Sequence, residues 1–183
     1  MLKPADIPNA ICVLRILLVG PTVWALLKGH FGLALLLVFV AGFSDALDGY
    51  LAKQFDWRSR LGGLLDPLAD KLLLVSLFVT LALLGLIPVW LAGVVIGRDA
   101  VIVSGGVAYN FFVGPVQPAP SRASKLNTLA QLSCIVGVLV EQALHWPMEP
   151  VVTAAGAAVL VTSVVSGLDY VICWGSRAIH ARA

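Results

Sequence analysis

The sequence predicts an all-α, polytopic membrane protein with six transmembrane helices. Three observations predict it. Of the 183 residues, 60% are apolar and only 12% are charged, against roughly 25% charged in soluble domains. Apolar stretches long enough for spans of ~20 residues recur along the whole chain. The Lys and Arg residues between those stretches sort onto one side. No stretch is polar enough to form a separate soluble domain, so one membrane domain is expected over residues 1–183. A net charge of +2 with scattered cations excludes a nucleic-acid binder. Cys12, Cys134 and Cys173 are far apart and set in apolar runs. They form neither a disulfide framework nor a zinc spacing, and core packing is their expected use.

The first span is expected near 8–27. The apolar run from Ile7 to Leu27 is long for a signal-peptide core and lacks a small-x-small cleavage site, so it is read as retained. Gly, Pro and charge punctuation places the others near 33–53, 63–86, 88–112, 124–143 and 150–174. Lys3, Lys53, Arg58, Arg60, Arg122, Lys125, Arg177 and Arg182 fall on one side and only Lys28 on the other. The positive-inside rule then makes both termini and the loop after the second span cytoplasmic, with a bacterial inner membrane as the expected location. Arg15, Lys71 and Arg98 fall within spans, where cations need partners. No internal repeat is visible, which argues against an inverted-repeat transporter. Gly93 and Gly97 form a GxxxG in the fourth span, read as a close-packing feature.

Four aspartates, Asp45, Asp48, Asp66 and Asp70, lie within 26 residues of this apolar chain. Asp45 and Asp48 share one face of the second helix, with Ala52 a turn further on, and Asp66 and Asp70 share a face of the third. If the loop is near 54–61, the helices run antiparallel. At ~1.5 Å per residue, Asp48 then lies level with Asp66 and Asp45 level with Asp70. Mutual repulsion penalises four carboxylates in one small volume unless a cation offsets them. An all-oxygen set without a nearby histidine favours Mg²⁺ or Mn²⁺, and four carboxylates suffice for two ions. Pro67 suits either a helix first turn with Asp66 as N-cap or a kink. Gly49, Gly62 and Gly63 leave room for a ligand beside the acids. The alternatives are interfacial salt bridges with Lys53, Arg58, Arg60 and Lys71, or a proton or ion pathway.

The segments DALDGYLAK and LGGLLDPLAD resemble the CDP-alcohol phosphatidyltransferase signature DxxDGxxARx8Gx3Dx3D, with matching spacing from Asp45 to Asp70. Lys53 stands where that family usually has Arg, so a phosphate contact there would be a point charge without the bidentate fork. IPNAICVLRI is similar to the family's first-helix PNxxTxxR pattern, with Cys12 in place of Thr. The resemblance implies that an alcohol attacks the lipid-side phosphorus of a CDP-linked lipid and that CMP leaves. It implies Asp45, Asp48 and Asp66 as metal ligands, and Asp70 as both a ligand and the general base. Gly49, Ala52, Lys53 and Gly62 would line the CDP site, with Asn9, and less directly Arg15, at the nucleotide end. It also implies a homodimer.

For the acceptor, IGRDAVIVSGG and PSRASKLNTLAQ resemble segments of the CMP-forming cardiolipin synthases, which join CDP-diacylglycerol to phosphatidylglycerol. Phosphatidylglycerophosphate synthases usually carry Arg-Glu and a GKxKT-like motif there, whereas this chain has Arg98-Asp99 and SKLNT, with Asn127 in place of the second lysine. A missing cation matters most for a doubly charged phosphate monoester such as glycerol 3-phosphate. Phosphatidylglycerol is therefore the expected acceptor and glycerol 3-phosphate the alternative, with Arg98 and Lys125 as the acceptor-binding candidates. The other reading of these residues is a structural Arg98–Asp99 pair and a snorkelling lysine. An aspartate-dependent prenyltransferase would carry its two acidic clusters far apart. A small cation transporter would carry acids near the midplane.

Overall fold

The computed structural model describes residues 7–54, 62–112 and 122–180, with side chains described within 11–45, at 47, and within 69–105 and 123–170. Six helices follow in order: α1 (Ile7–Leu27), α2 (Phe31–Gln54), α3 (Gly62–Leu83), α4 (Val89–Phe112), α5 (Arg122–Leu144) and α6 (Glu149–His180). No strand occurs among the described residues. Each helix lies within a few residues of its expected span, except that α3 stops at Leu83 rather than 86 and α6 continues to His180 rather than 174.

The helix ends follow from local chemistry. Gly85 has φ 72°, Gly85 N–H donates to Ala82 C=O at 3.1 Å, and Leu86 N–H donates to Leu81 C=O at 3.0 Å. This left-handed cap closes α3 earlier than hydropathy alone suggests. Gly29 closes α1 in the same way, with φ 75° and a 2.8 Å bond from His30 N–H to Ala25 C=O. Met148 C=O accepts from Val152 N–H at 2.9 Å at the start of α6, where Glu149 places its negative charge in the first turn. α3 begins four residues before Asp66, so Asp66 is not its N-cap and Pro67 falls in the helix's second turn. Inside the helices, hydroxyls bond their own backbone: Thr22 and Thr80 each donate to the carbonyl four residues back at 2.7 Å. A polar side chain on an apolar helix is thereby satisfied without a partner helix.

The chain divides into two compact units. Unit 1 comprises Met1–Leu86 with Val138–Pro147, and unit 2 comprises Ile87–Gly137 with Met148–Ala183. In unit 1, α1 packs against both α2 and α3. The inner stripe of α3 is Leu74, Leu77, Phe78 and Leu81, at helical spacing. The inner stripe of α2 is Ala34, Val38 and Ala41, whose small side chains let the helices approach. In unit 2, α4 packs against α6. A Cβ on Gly156 would stand 3.6 Å from Leu91 Cδ2, and one on Gly137 would stand 3.5 Å from Val152 Cγ2. These are the close helix contacts. Gly93 and Gly97 are exposed, with no atom within 4 Å of where a Cβ would stand. The GxxxG therefore does not serve packing within the described chain.

Large apolar side chains point outward on every helix, among them Leu17, Phe39, Phe43, Leu83, Trp90, Leu129 and Val161. Two helices, Ala123–Leu144 and Glu149–Tyr170, are long and apolar enough to cross a membrane, and only 33% and 17% of their most apolar windows are buried. An apolar helix that leaves most of its surface open is the reverse of a soluble core helix. The pattern is that of a membrane protein. Cys12 and Cys134 are buried, as core packing requires, while the Cys173 side chain lies outside the described residues.

Candidate active site

The buried stripes of unit 1 end in charge. On α2, Ala34, Val38 and Ala41 are followed at the next helical position by Asp45. On α3, Leu81, Leu77 and Leu73 lead back to Asp70, and on α1 the buried Thr22 and Cys12 flank Arg15 on one face. Arg15 Nη1 lies 2.8 Å from Asp45 Oδ1, and the same nitrogen donates to Asp70 Oδ1. Three helices therefore deliver one cation and two anions to a single point.

Burial in this cluster is asymmetric. Arg15 is 1% exposed, whereas the Asp45 and Asp70 side chains are 49% and 44% exposed. The guanidinium sits beneath two carboxylates that remain open to an approaching ligand. A lone buried guanidinium carries a large desolvation penalty, and the acid pair offsets it. The donor set is of the kind a hard divalent ion takes, carboxylate oxygens from two half-exposed side chains on two helices, with one oxygen of each paired to Arg15. Among the described residues no group of three or more His, Cys, Asp or Glu is close enough to hold a metal. The side chains of Asp48 and Asp66, the other two expected ligands, lie outside the described residues. So do those of Gly49, Ala52, Lys53, Gly62 and Asn9, although their backbones are helical.

An apolar groove of about 530 Å³ runs along the outer face of α2, opposite the Ala34–Val38–Ala41 stripe, lined by Gly32, Leu35, Leu36, Phe39, Val40, Phe43 and Ser44. Ser44 is polar but donates to Val40 C=O at 2.7 Å, which leaves the groove without a free hydroxyl proton.

Unit 2 holds the two acceptor candidates. Arg98 on α4 is 6% exposed. It donates to Asp99 at 2.6 Å, to Ser124 Oγ on α5 at 2.8 Å and to Ser166 Oγ on α6 at 2.5 Å. Its Nε has no partner. Lys125 is exposed on α5, next in sequence to Ser124. The Arg98–Asp99 pair considered as the structural reading is thus formed, and it ties three helices together.

Sequence reasoning missed Gln131 of this seam and read Asn127 only for the charge it lacks. Asn127 is fully buried, and its Oδ1 accepts from Thr162 at 3.0 Å and from Ser163 at 2.8 Å. Gln131, one turn further along, is also fully buried, and neither of its amide atoms has a hydrogen-bond partner among the described residues. The signal was the i, i+3, i+7 run of Ser124, Asn127 and Gln131 on α5, facing Thr162, Ser163 and Ser166 on α6. A lysine at 127 would bury an ammonium in that seam, so the absent second cation has a packing reason as well as a substrate one. In unit 1, Arg15 was recognised as a cation needing partners, but its pairing with the aspartates was not foreseen.

Comparison with known proteins gives relatives of one name. A Drosophila melanogaster protein named probable cardiolipin synthase (CMP-forming) is 33% identical over 145 residues, covering 70% of this chain and 45% of that protein. The human cardiolipin synthase (CMP-forming) is 34% identical over 153 residues, covering 75% and 51%. A Streptomyces coelicolor protein of the same name is 38% identical over 102 residues, covering 52% and 47%. The chain spans about half the length of these relatives. The family model for CDP-alcohol phosphatidyltransferases matches residues 5–168, a stretch that runs from before Arg15 through all four aspartates to the polar seam of α6. With its acidic pair carried on the two helices that bear the signature, the chain belongs to the CDP-alcohol phosphatidyltransferase family.

Proposed function

We propose that this protein transfers the phosphatidyl group of CDP-diacylglycerol to phosphatidylglycerol, giving cardiolipin and CMP in phospholipid biosynthesis. The observation that carries the reading is the convergence of Asp45 and Asp70, from the two helices that bear the signature, on one positive group. The names of the relatives, CMP-forming cardiolipin synthases, support the choice of acceptor. Phosphatidylglycerophosphate synthesis from glycerol 3-phosphate is the second reading. The buried, uncharged Asn127 disfavours it, because a phosphate monoester calls for more positive charge.

The chemistry needs positioning and charge cancellation more than covalent assistance. The acceptor hydroxyl oxygen forms a bond to the phosphorus next to diacylglycerol, and the bond from that phosphorus to the CMP oxygen breaks. Asp70 takes the hydroxyl proton as the new bond forms. Its half-exposed carboxylate suits that role, since the proton must then pass to water. Asp45, Asp48, Asp66 and Asp70 would hold two Mg²⁺ or Mn²⁺ ions, which when bound supply charge to offset the diphosphate. Gly49, Ala52, Lys53, Gly62 and Asn9 would receive the CDP moiety, and Arg98 with Lys125 the acceptor.

The whole chain is read as one catalytic membrane domain with six spans, supported by a family match that runs through both compact units. Helices of 21 to 32 residues are long enough to cross a hydrocarbon core of about 30 Å. The distribution of Lys and Arg supports cytoplasmic termini and a cytoplasmic active site in a bacterial inner membrane. Exposed Gly93 and Gly97 on α4 support a homodimer through that helix.

The acceptor is tested with purified protein and CDP-diacylglycerol, offering phosphatidylglycerol, glycerol 3-phosphate, serine and inositol phosphate in turn. Phosphatidylglycerol alone should release CMP and yield cardiolipin. Product from glycerol 3-phosphate and none from phosphatidylglycerol would overturn the assignment in favour of the second reading.

A further inference from the structure

The Asp45–Arg15–Asp70 cluster contains a cation that the proposed chemistry does not use. One guanidinium nitrogen, buried in α1, reaches a carboxylate from α2 and another from α3. Both carboxylates are among the groups read above as metal ligands. A single positive charge cannot occupy those oxygens together with divalent ions without repulsion, because like charges a few Å apart oppose each other in a partly buried site.

We propose that Arg15 is a built-in counter-cation: it holds Asp45 and Asp70 together before metal arrives, and it competes with the divalent ions for the same oxygens. The proposal rests on the reading of the aspartates as a metal site. Its physical basis is the burial asymmetry. Arg15 is 1% exposed and anchored on the inner face of α1, so it is fixed from beneath, while Asp45 and Asp70 are open above. Without a cation, two carboxylates at the meeting point of three helices would repel each other and spread α2 from α3. One guanidinium suppresses that repulsion yet leaves a set of four aspartates net negative, so divalent ions are still drawn in. Once the ions are bound, the guanidinium is surplus charge beside them. Arg15 therefore stabilises the empty site and weakens the loaded one. A residue that only pinned the helices would do the first without the second.

Manganese binding distinguishes these outcomes without any catalytic assay. Free Mn²⁺ is counted by its electron paramagnetic resonance signal in titrations of the purified protein, and unfolding midpoints are taken in chelator and in excess Mn²⁺. Arg15→Gln should bind Mn²⁺ about tenfold more tightly than the unmodified protein, a factor set by removing one adjacent unit charge. It should also unfold at lower temperature in chelator and gain more from Mn²⁺ than the unmodified protein does. Arg15→Lys, a point charge without the fork, should bind about threefold more tightly, and it carries the test if Arg15→Gln does not accumulate. Unchanged or weaker Mn²⁺ binding in whichever variant folds overturns the counter-cation role and leaves Arg15 a structural pin. The paired variant Asp45→Asn with Asp70→Asn should lose the Mn²⁺ site. Retention of Mn²⁺ binding there would overturn the metal reading itself, and the proposal with it, which keeps the two failures apart.

Discussion

Asp70→Asn is expected to reduce CMP release by about 10²–10⁴-fold, the usual contribution of a positioned general base, while the protein remains folded in the membrane. Asparagine matches aspartate in shape, so the stripe of Leu73, Leu77 and Leu81 on α3 keeps its packing. Arg15 also keeps Asp45 as a partner at 2.8 Å, so its guanidinium is not left alone in the core. What the amide cannot do is accept the acceptor's proton. Comparison with Asp45→Asn separates this role from metal binding, since extra divalent ion should partly restore Asp45→Asn and leave Asp70→Asn inactive. The measurement is initial-rate CMP release at several Mn²⁺ concentrations. Full activity in Asp70→Asn would remove it from the role of base.

Exhaustive chelation is expected to bring activity to background, with recovery on adding Mg²⁺ or Mn²⁺. The reasoning is electrostatic. A CDP-linked lipid brings a diphosphate to a site whose own signature residues are acids, and one guanidinium offsets only a fraction of that charge. Without further positive charge, donor and site repel. Activity that persists after chelator treatment and removal of trace metal would contradict the metal reading. Circular dichroism before and after chelation shows whether the helices survive the loss of metal, and Arg15 predicts that they do.

The six helices were legible because each is a long apolar run bounded by Gly, Pro or charged residues. The early end of α3 was not, because the left-handed cap at Gly85 overrides the two further apolar positions Leu84 and Leu86. The acidic signature was legible from spacing alone, and the convergence of Asp45 with Asp70 agrees with equal depth on antiparallel helices. The partnership with Arg15 was hidden because it depends on how α1 is rotated against α2 and α3. A sequence of nearly uniform hydrophobicity does not encode that rotation in its polar-apolar pattern. Small residues misled for the same reason. The recognisable Gly93 and Gly97 pair faces open space, while the close contacts of unit 2 use Gly137 and Gly156. Asn127 was read for the charge it lacks, whereas its carbonyl oxygen joins α5 to α6 through Thr162 and Ser163.

The central claim is that bond exchange occurs at the phosphorus on the lipid side of the donor. CDP-diacylglycerol carrying ³²P at that phosphorus, incubated with the purified protein, Mn²⁺ and phosphatidylglycerol, tests it directly. All label should appear in cardiolipin and none in CMP; label recovered in CMP or in free phosphate would contradict phosphatidyl transfer.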